Sequence, residues 1–299
     1  GETFPVTYTC ISGPHIITKP VLDTVLWDQE PNQGADLFGE ADGGDDVFLH
    51  NLAFELPFTL LEVPSRGMNW SFQVVYKSRF PFDGPLGHNW DFNYNIHLMQ
   101  EPDGDVVVFN GLRRQDVYKG GFKSPEGFFS KLTANGGGFL LRDRNGLKYQ
   151  FGPPAGKVTS ITDRNGNVMT FSYDGANRLA SMTATLNRVY TFTYDGQGRI
   201  TDVTDFSGRN LHFTYDANGD LVTITTPSVT GTPNGNDFPN GKTIRFTYLS
   251  GFGNILDHSL VTVTKPNEEA LNPDGPPALI NTYETNPLAF HTNPTFGRI

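Results

Sequence analysis

The chain has 299 residues, a formal net charge of −10, a single cysteine and only 18% charged side chains. An acidic chain with no basic stripe is not built to hold nucleic acid, a lone Cys10 excludes an internal disulfide, and no run of 18 apolar residues is present to cross a bilayer as a helix. Its 33 glycines, 21 prolines and 13% aromatic residues suit short strands joined by tight turns.

Residues 1–34 read as an extended N-terminal segment without a recognisable motif. The chain begins at Gly1 with no signal-peptide pattern, which we take as a processed product or a fragment. Residues 35–142 read as an N-terminal β-domain, a plug joined to the first repeats. It opens on an acidic run, Asp36, Glu40, Asp42, Asp45 and Asp46. Oxygen-rich, glycine-containing loops can bind Ca²⁺, so Asp42, Asp45 and Asp46 form the weak metal candidate of this chain. The spacing is not that of the helical calcium loop, and a solvated loop is the reading we take; Asp103-Gly104-Asp105 is read the same way. Residues 54–58 and 70–76 alternate as strands around the turn Pro64-Ser65-Arg66-Gly67. A glycine-rich turn over 82–90 comes next, then strands over 105–109 and 139–142.

Residues 143–299 carry a repeat. Phe171-Ser172-Tyr173-Asp174, Phe192-Thr193-Tyr194-Asp195 and Phe213-Thr214-Tyr215-Asp216 are 21 residues apart both times. A catalytic motif has no reason to recur at constant spacing, whereas a unit that stacks on itself does. Ten residues before each tyrosine a turn opens, at Asp163, Ala184 and Asp205, and a second turn succeeds each Tyr-Asp. Each unit is thus two short strands and two turns. In the tyrosine strand Phe171 and Tyr173 share one face and Val168, Thr170 and Ser172 the other. In the companion strand Ile200 and Val203 lie three apart, as do Leu221 and Ile224, which predicts one bulge per unit.

The array extends to an earlier unit at Asp143-Arg144-Asn145-Gly146 and a later one at Phe246-Thr247-Tyr248. A degenerate copy, Asn281-Thr282-Tyr283-Glu284, ends in Gly297-Arg298-Ile299. Insertions fall at 227–241 and 265–279, the last unit is truncated, and we expect Ile299 to mark a cut inside an array. Phe171, Phe192, Phe213 and Phe246 are expected to stack in one ladder, with Tyr173, Tyr194, Tyr215 and Tyr248 beside it. Cross-strand aromatic pairs would add roughly 0.2–1 kcal/mol each. The aspartates Asp174, Asp195 and Asp216 are expected to bond turn amides rather than metal.

These residues resemble the Rhs/YD-repeat family. The block before the repeats resembles the segment that precedes them in bacterial members, with a Pro-x-Arg-Gly turn, a Tyr-(Arg/Lys)-Ser strand and a Gly-x-Leu-Gly-x-x-Trp turn. Here these are Pro64, Arg66 and Gly67; Tyr76-Lys77-Ser78; and Gly84, Leu86, Gly87 and Trp90. The likeness covers roughly residues 35–265. It implies an all-β fold, an antiparallel β-hairpin array that forms a strip, spiral or partial shell behind an N-terminal β-domain. In polymorphic toxins and insecticidal toxin complexes such a shell sequesters a C-terminal toxin, and in teneurins a related shell is a recognition scaffold. The Asp-Pro-x-Gly-Leu segment of the toxin pattern is missing here, so autocleavage and toxicity do not carry over. On the order of six units is too few to close a shell.

None of the seven histidines pairs with another His or Cys at metal-ligand spacing, and His88, inside its glycine-rich turn, is read as structural. The expectation is a non-enzymatic structural or encapsulating module, without cofactor, of a secreted or cell-surface protein of bacterial type. Its partners would be further copies of itself, or the remainder of a larger shell protein, through β-edge pairing; a protein or glycan ligand is a further partner class. Two alternatives stand beside it. One is a fragment of a toxin shell whose effector is absent. The other is a surface adhesin that binds glycans or proteins through exposed aromatics such as Trp27, Trp70 or Trp90.

Overall fold

The computed structural model describes residues 54–78, 82–152, 156–235, 237–252, 256–266 and 277–283, and residues 3–12, 15–24, 47–48 and 53 as strand backbone. The fold is nearly all β and antiparallel, as the repeats imply. β1 (Thr3–Ser12) and β2 (His15–Thr24) pair with each other as a hairpin. β3 (Val47–Phe48), β4 (Ala53–Val63), β5 (Trp70–Lys77) and, beyond a small ladder of β6 (Asp83–Gly84) and β7 (Gly87–His88), β8 (Trp90–Phe92) make a four-stranded sheet in the order β3-β4-β5-β8. The candidate Asp42, Asp45 and Asp46, with Asp36, Glu40 and Trp27, lie outside the described residues, as do Glu284 and the closing Gly297-Arg298-Ile299.

The large sheet has 16 strands. It begins with β9 (Ile96–Gln100), β10 (Val106–Asn110) and β11 (Gln115–Tyr118), then β12 (Lys131–Asn135), β13 (Gly138–Arg142) and β14 (Lys148–Gly152). β15 (Lys157–Thr162), β16 (Val168–Tyr173), β17 (Leu179–Ala184), β18 (Arg188–Tyr194), β19 (Ile200–Thr204), β20 (Asn210–Tyr215) and β21 (Leu221–Thr225) carry the repeats. β22 (Thr243–Tyr248), β23 (Leu260–Thr264) and β24 (Leu279–Ile280) complete it. The sheet forks at β15, which meets both β14 and β9.

Each unit bulges at one place. Ser172 faces Ser181 but Tyr173 faces Leu179, and the same step recurs at Thr193/Tyr194, Thr214/Tyr215 and Thr247/Tyr248. The extra residue sits in the companion strand, after Leu179, Ile200, Leu221 and Leu260, where the three-residue spacing predicts it. The bulges shear the rows. Thr193, one residue before Tyr194, lies in line with Asp202 and then His212, three residues before Tyr215.

The tyrosines lock unit to unit. The hydroxyls of Tyr173, Tyr194, Tyr215, Tyr248 and Tyr283 donate to the carbonyls of Val158, Leu179, Ile200, Leu221 and Leu260 at 2.7–2.8 Å. Each bond reaches back into the preceding unit. The phenylalanine ladder differs from expectation. Phe171 faces Met182, Phe192 faces Val203, Phe213 faces Ile224 and Phe246 faces Val263. An intervening strand separates successive phenylalanines, about two strand spacings of 4.7–4.9 Å, so their rings do not pair with one another. Their aromatic neighbours come from the four-stranded sheet and from Tyr94 just after it instead.

Candidate functional site

The distinctive site is the seam where the four-stranded sheet covers one face of the array. Alternation puts Trp70, Phe72, Val74 and Tyr76 of β5 on the face that meets the array, and all four are buried. Trp70 stacks on Tyr190 at 3.8 Å between ring centroids. Phe72 sits between units, 6.0 Å from Phe192 and 6.1 Å from Phe213. Phe58 and Trp90 both meet Phe246, and Tyr94 meets Phe171. Trp90 Nε1 donates to the Tyr248 hydroxyl at 2.8 Å. One buried cluster therefore runs from β4 through β23. The reading of Trp70 and Trp90 as exposed ligand-binding aromatics is corrected here, because both are 0% exposed. Each ring is consumed by packing that stabilises by a few kcal/mol.

Two turns clasp the edges of this seam, and both carry motif residues. The Pro64-Ser65-Arg66-Gly67 turn docks where β15 turns into β16 and β17 into β18. Arg188 Nη1 donates to the Pro64 carbonyl at 2.6 Å, and the Ser65 hydroxyl bonds Thr185. Gly67 has φ of +82°, and a Cβ there would run into the side chains of Asn167 and Asp163. The 84–90 turn docks at the opposite ends of the strands. The Ile200 amide donates to the Pro85 carbonyl at 2.7 Å. Gly87, at φ +79°, rests on the Gly219 carbonyl, where any side chain would clash. Leu86 and Trp90 are fully buried beside it, and Gly84 pairs with Gly87.

The Tyr-Asp turns are built alike. Asp174 Oδ1 accepts from the amides of Ala176 and Arg178 at 2.9 Å each, and its Oδ2 accepts from Arg178 Nε at 2.8 Å. Asp195 does the same with Gln197 and Arg199, and Asp216 holds the amides of Asn218 and Asp220. The Arg178 amide, joined by its guanidinium and the Ala176 amide, holds the Asp174 carboxyl below the usual range. Arg178 also lies 4.5 Å over the ring of Tyr194, and Arg199 4.5 Å over Tyr215. The turn of one unit thus covers the tyrosine of the next. The turns opened by Asp163 and Asp205 at the other strand ends use the same bonds. Ala184 cannot, and a short 3₁₀ turn, Thr185–Asn187, takes its place.

The third unit departs from this scheme, and motif reading passes over it. The position of Arg178 and Arg199 is taken by Asp220, which is 1% exposed. Its carboxylate receives His258 Nδ1 at 2.9 and 3.1 Å, and burial pushes its pKa up. The ring of His258 stacks on that of His88 with centroids 3.7 Å apart. His88, expected to serve a structural bond, places Nε2 3.1 Å from the Asn218 carbonyl. The substitution of acid for base at a repeat position is the sequence signal that points to this cluster.

The seam holds its two sheets together by ring packing and hydrogen bonds. Among the described residues no group of three or more His, Cys, Asp or Glu side chains is placed to ligate a metal, and no helix is long and apolar enough to cross a membrane.

Two family models match the chain. A family model described as teneurin YD-shell matches residues 148–268, which run from the first residue of β14 to just past β23. A domain of unknown function, DUF6531, matches residues 53–118, from the start of β4 to the end of β11. No curated protein matches the chain.

Proposed function

Given that the chain is a YD-repeat, Rhs-like protein, we propose that it is a non-enzymatic structural module that begins a shell and closes one end of it. The carrying observation is the seam: the array's inner face over β16 to β23 is already filled by Trp70, Phe72, Tyr76, Trp90 and Phe92. A face so covered has no room for a guest. Cargo space, in this reading, belongs to strands added beyond β24, so the module serves as the sealed base of an encapsulating protein that is secreted or displayed on a cell surface.

The edges supply the means of extension. β24 presents Ile280 at 62% exposure, and β11 and β12 each pair with one neighbour only among the described strands. Unpaired strand edges template further strands. A second copy, or the remainder of a larger shell, is the partner that fits such an edge. Head-to-tail use of two different edges would give an open assembly.

Light scattering on the purified chain across a concentration series tests this. Growth into large species with concentration supports edge-driven assembly, and deleting residues 1–26 should then abolish it if the N-terminal hairpin is the donor. A monomer near 33.0 kDa at every concentration assigns the edges to the rest of a larger shell and removes self-assembly.

A further inference from the structure

We propose that His88, His258 and Asp220 form an acid-released latch holding the 84–90 turn of the N-terminal sheet to the rim of the array. The contact joins two loops distant in sequence: the glycine-rich turn after β5 and residues 256–259 just before β23. Nothing in the repeat scheme calls for it. Asp220 stands where the two preceding units have arginine, and it is the carboxylate that fixes His258.

Each ring makes its bond with a single proton. His258 donates from Nδ1 to Asp220, and His88 donates from Nε2 to the Asn218 carbonyl. A first added proton is accommodated, because His258 faces Asp220 and His88 Nδ1 lies 3.9 Å from Asp83. A second proton places two cations in stacked rings at 3.7 Å. Like charges at that separation repel even with a well-screened interior. The surrounding carboxylates offset this only in part. Asp83 is 74% exposed in its side chain and is a weak counter-ion; Asp216 and Asp257 keep their negative charge but are held by the amides of Asn218 and Phe252 rather than by the rings. Arg199, whose Nη1 lies beside Gly219, is paired with Asp195 and supplies no counter-ion, while burial raises the phenols of Tyr76 and Tyr248. Burial raises the Asp220 carboxyl, which makes it the easier counter-ion to lose as acid is added.

The loops are poised to part. His258 and Asn89 hold left-handed backbone at φ 69° and 64°, conformations that cost free energy in non-glycine residues. The Asn89 side-chain oxygen is buried with no hydrogen-bond partner among the described residues, and it gains one on opening. The opposite clasp, at Pro64 and Arg188, contains no imidazole. Acid therefore frees one side of the N-terminal sheet and leaves the other attached.

Hydrogen exchange read at the Ile200 amide tests the latch, because that amide donates to Pro85 in the docked turn. Between about pH 7.5 and about pH 4.5, after correction for intrinsic exchange, its protection should fall by about tenfold or more. The amides of β20 and β21 should keep theirs. His88→Phe keeps a ring in the stack and leaves a single imidazole there, so Ile200 should stay protected; adding His258→Asn, which tolerates the left-handed backbone, should make the profile flat. Unchanged protection in the natural chain overturns the latch. So does a loss shared equally by β20 and β21, or an equal loss in the His88→Phe variant, which decides the matter alone if the double variant does not fold.

Discussion

Replacing Phe72 by alanine removes the ring that bridges two repeat units from the N-terminal sheet. Phe72 is 0% exposed and touches Trp70, Phe92, Phe192 and Phe213. A buried phenylalanine covers about 150–250 Å². Deleting it costs the transfer of the lost surface plus the cavity left behind, together about 3–5 kcal/mol. For a domain of this size each kcal/mol shifts the melting temperature by about 2–4 °C, so the expected drop is about 6–20 °C. Tryptophan fluorescence is the assay, because Trp70 lies 6.3 Å from Phe72 on the same face of β5. Phe129→Ala, at 75% exposure, is the control and should stay within about 0.5 kcal/mol. If Phe72→Ala melts no lower than Phe129→Ala, the seam is not a packed core and the sealed-base reading fails with it.

Gly87→Ala should destabilise by more than about 1 kcal/mol, since the residue needs φ +79° and its Cβ would meet the Gly219 carbonyl; thermal melting checks it, and a neutral result would mean the turn does not dock there. Tyr194→Phe should cost about 1–3 kcal/mol, because the hydroxyl bond to the Leu179 carbonyl is lost and that oxygen stays inside. Urea denaturation would read this, and a gain in stability would contradict the interlock. Alkali should unfold the array. Burial raises the phenols of Tyr76, Tyr94, Tyr173, Tyr194 and Tyr215, and lifts Tyr118 to about 12. Phenols whose folded pKa exceeds the unfolded value near 10 stabilise fully below about pH 10, and that stability is lost as pH rises through the folded values. Urea midpoints at about pH 8 and about pH 11 should therefore differ, the higher pH being weaker, and equal midpoints would show the phenols to be solvated.

The repeat was legible because its constraints are local. The Tyr-Asp step, the turn glycines and the three-residue spacing of Ile200 and Val203 act within a few residues of one another, and they place strands, turns and bulges. What Phe192 and Phe213 touch was not legible, because their ring partners, Phe72 and Phe92, lie more than 90 residues earlier and periodicity says nothing of a second layer. The same applies to Trp70 and Trp90: a tryptophan in an alternating strand reads alike whether its face meets solvent or another sheet. The His88–His258 stack depends on two loops meeting in space, and only the odd acid at Asp220 marked the place. The fork at β15 has no sequence mark of its own, since β9 and β14 reach it by different routes.

The two clasps also work as a caliper. One grips the array at Thr185 and Arg188, the other at Ile200 and Gly219, and the rigid β4–β5–β8 sheet fixes the span between them. Beyond the caliper, whole units can be gained or lost by duplication, since each one hands its neighbour the same tyrosine bond and the same two-residue step. Inside it they cannot: one extra unit would carry Gly219 a full hairpin away from Gly87. The spacing of the two clasps thus matches the number of units that lie between them.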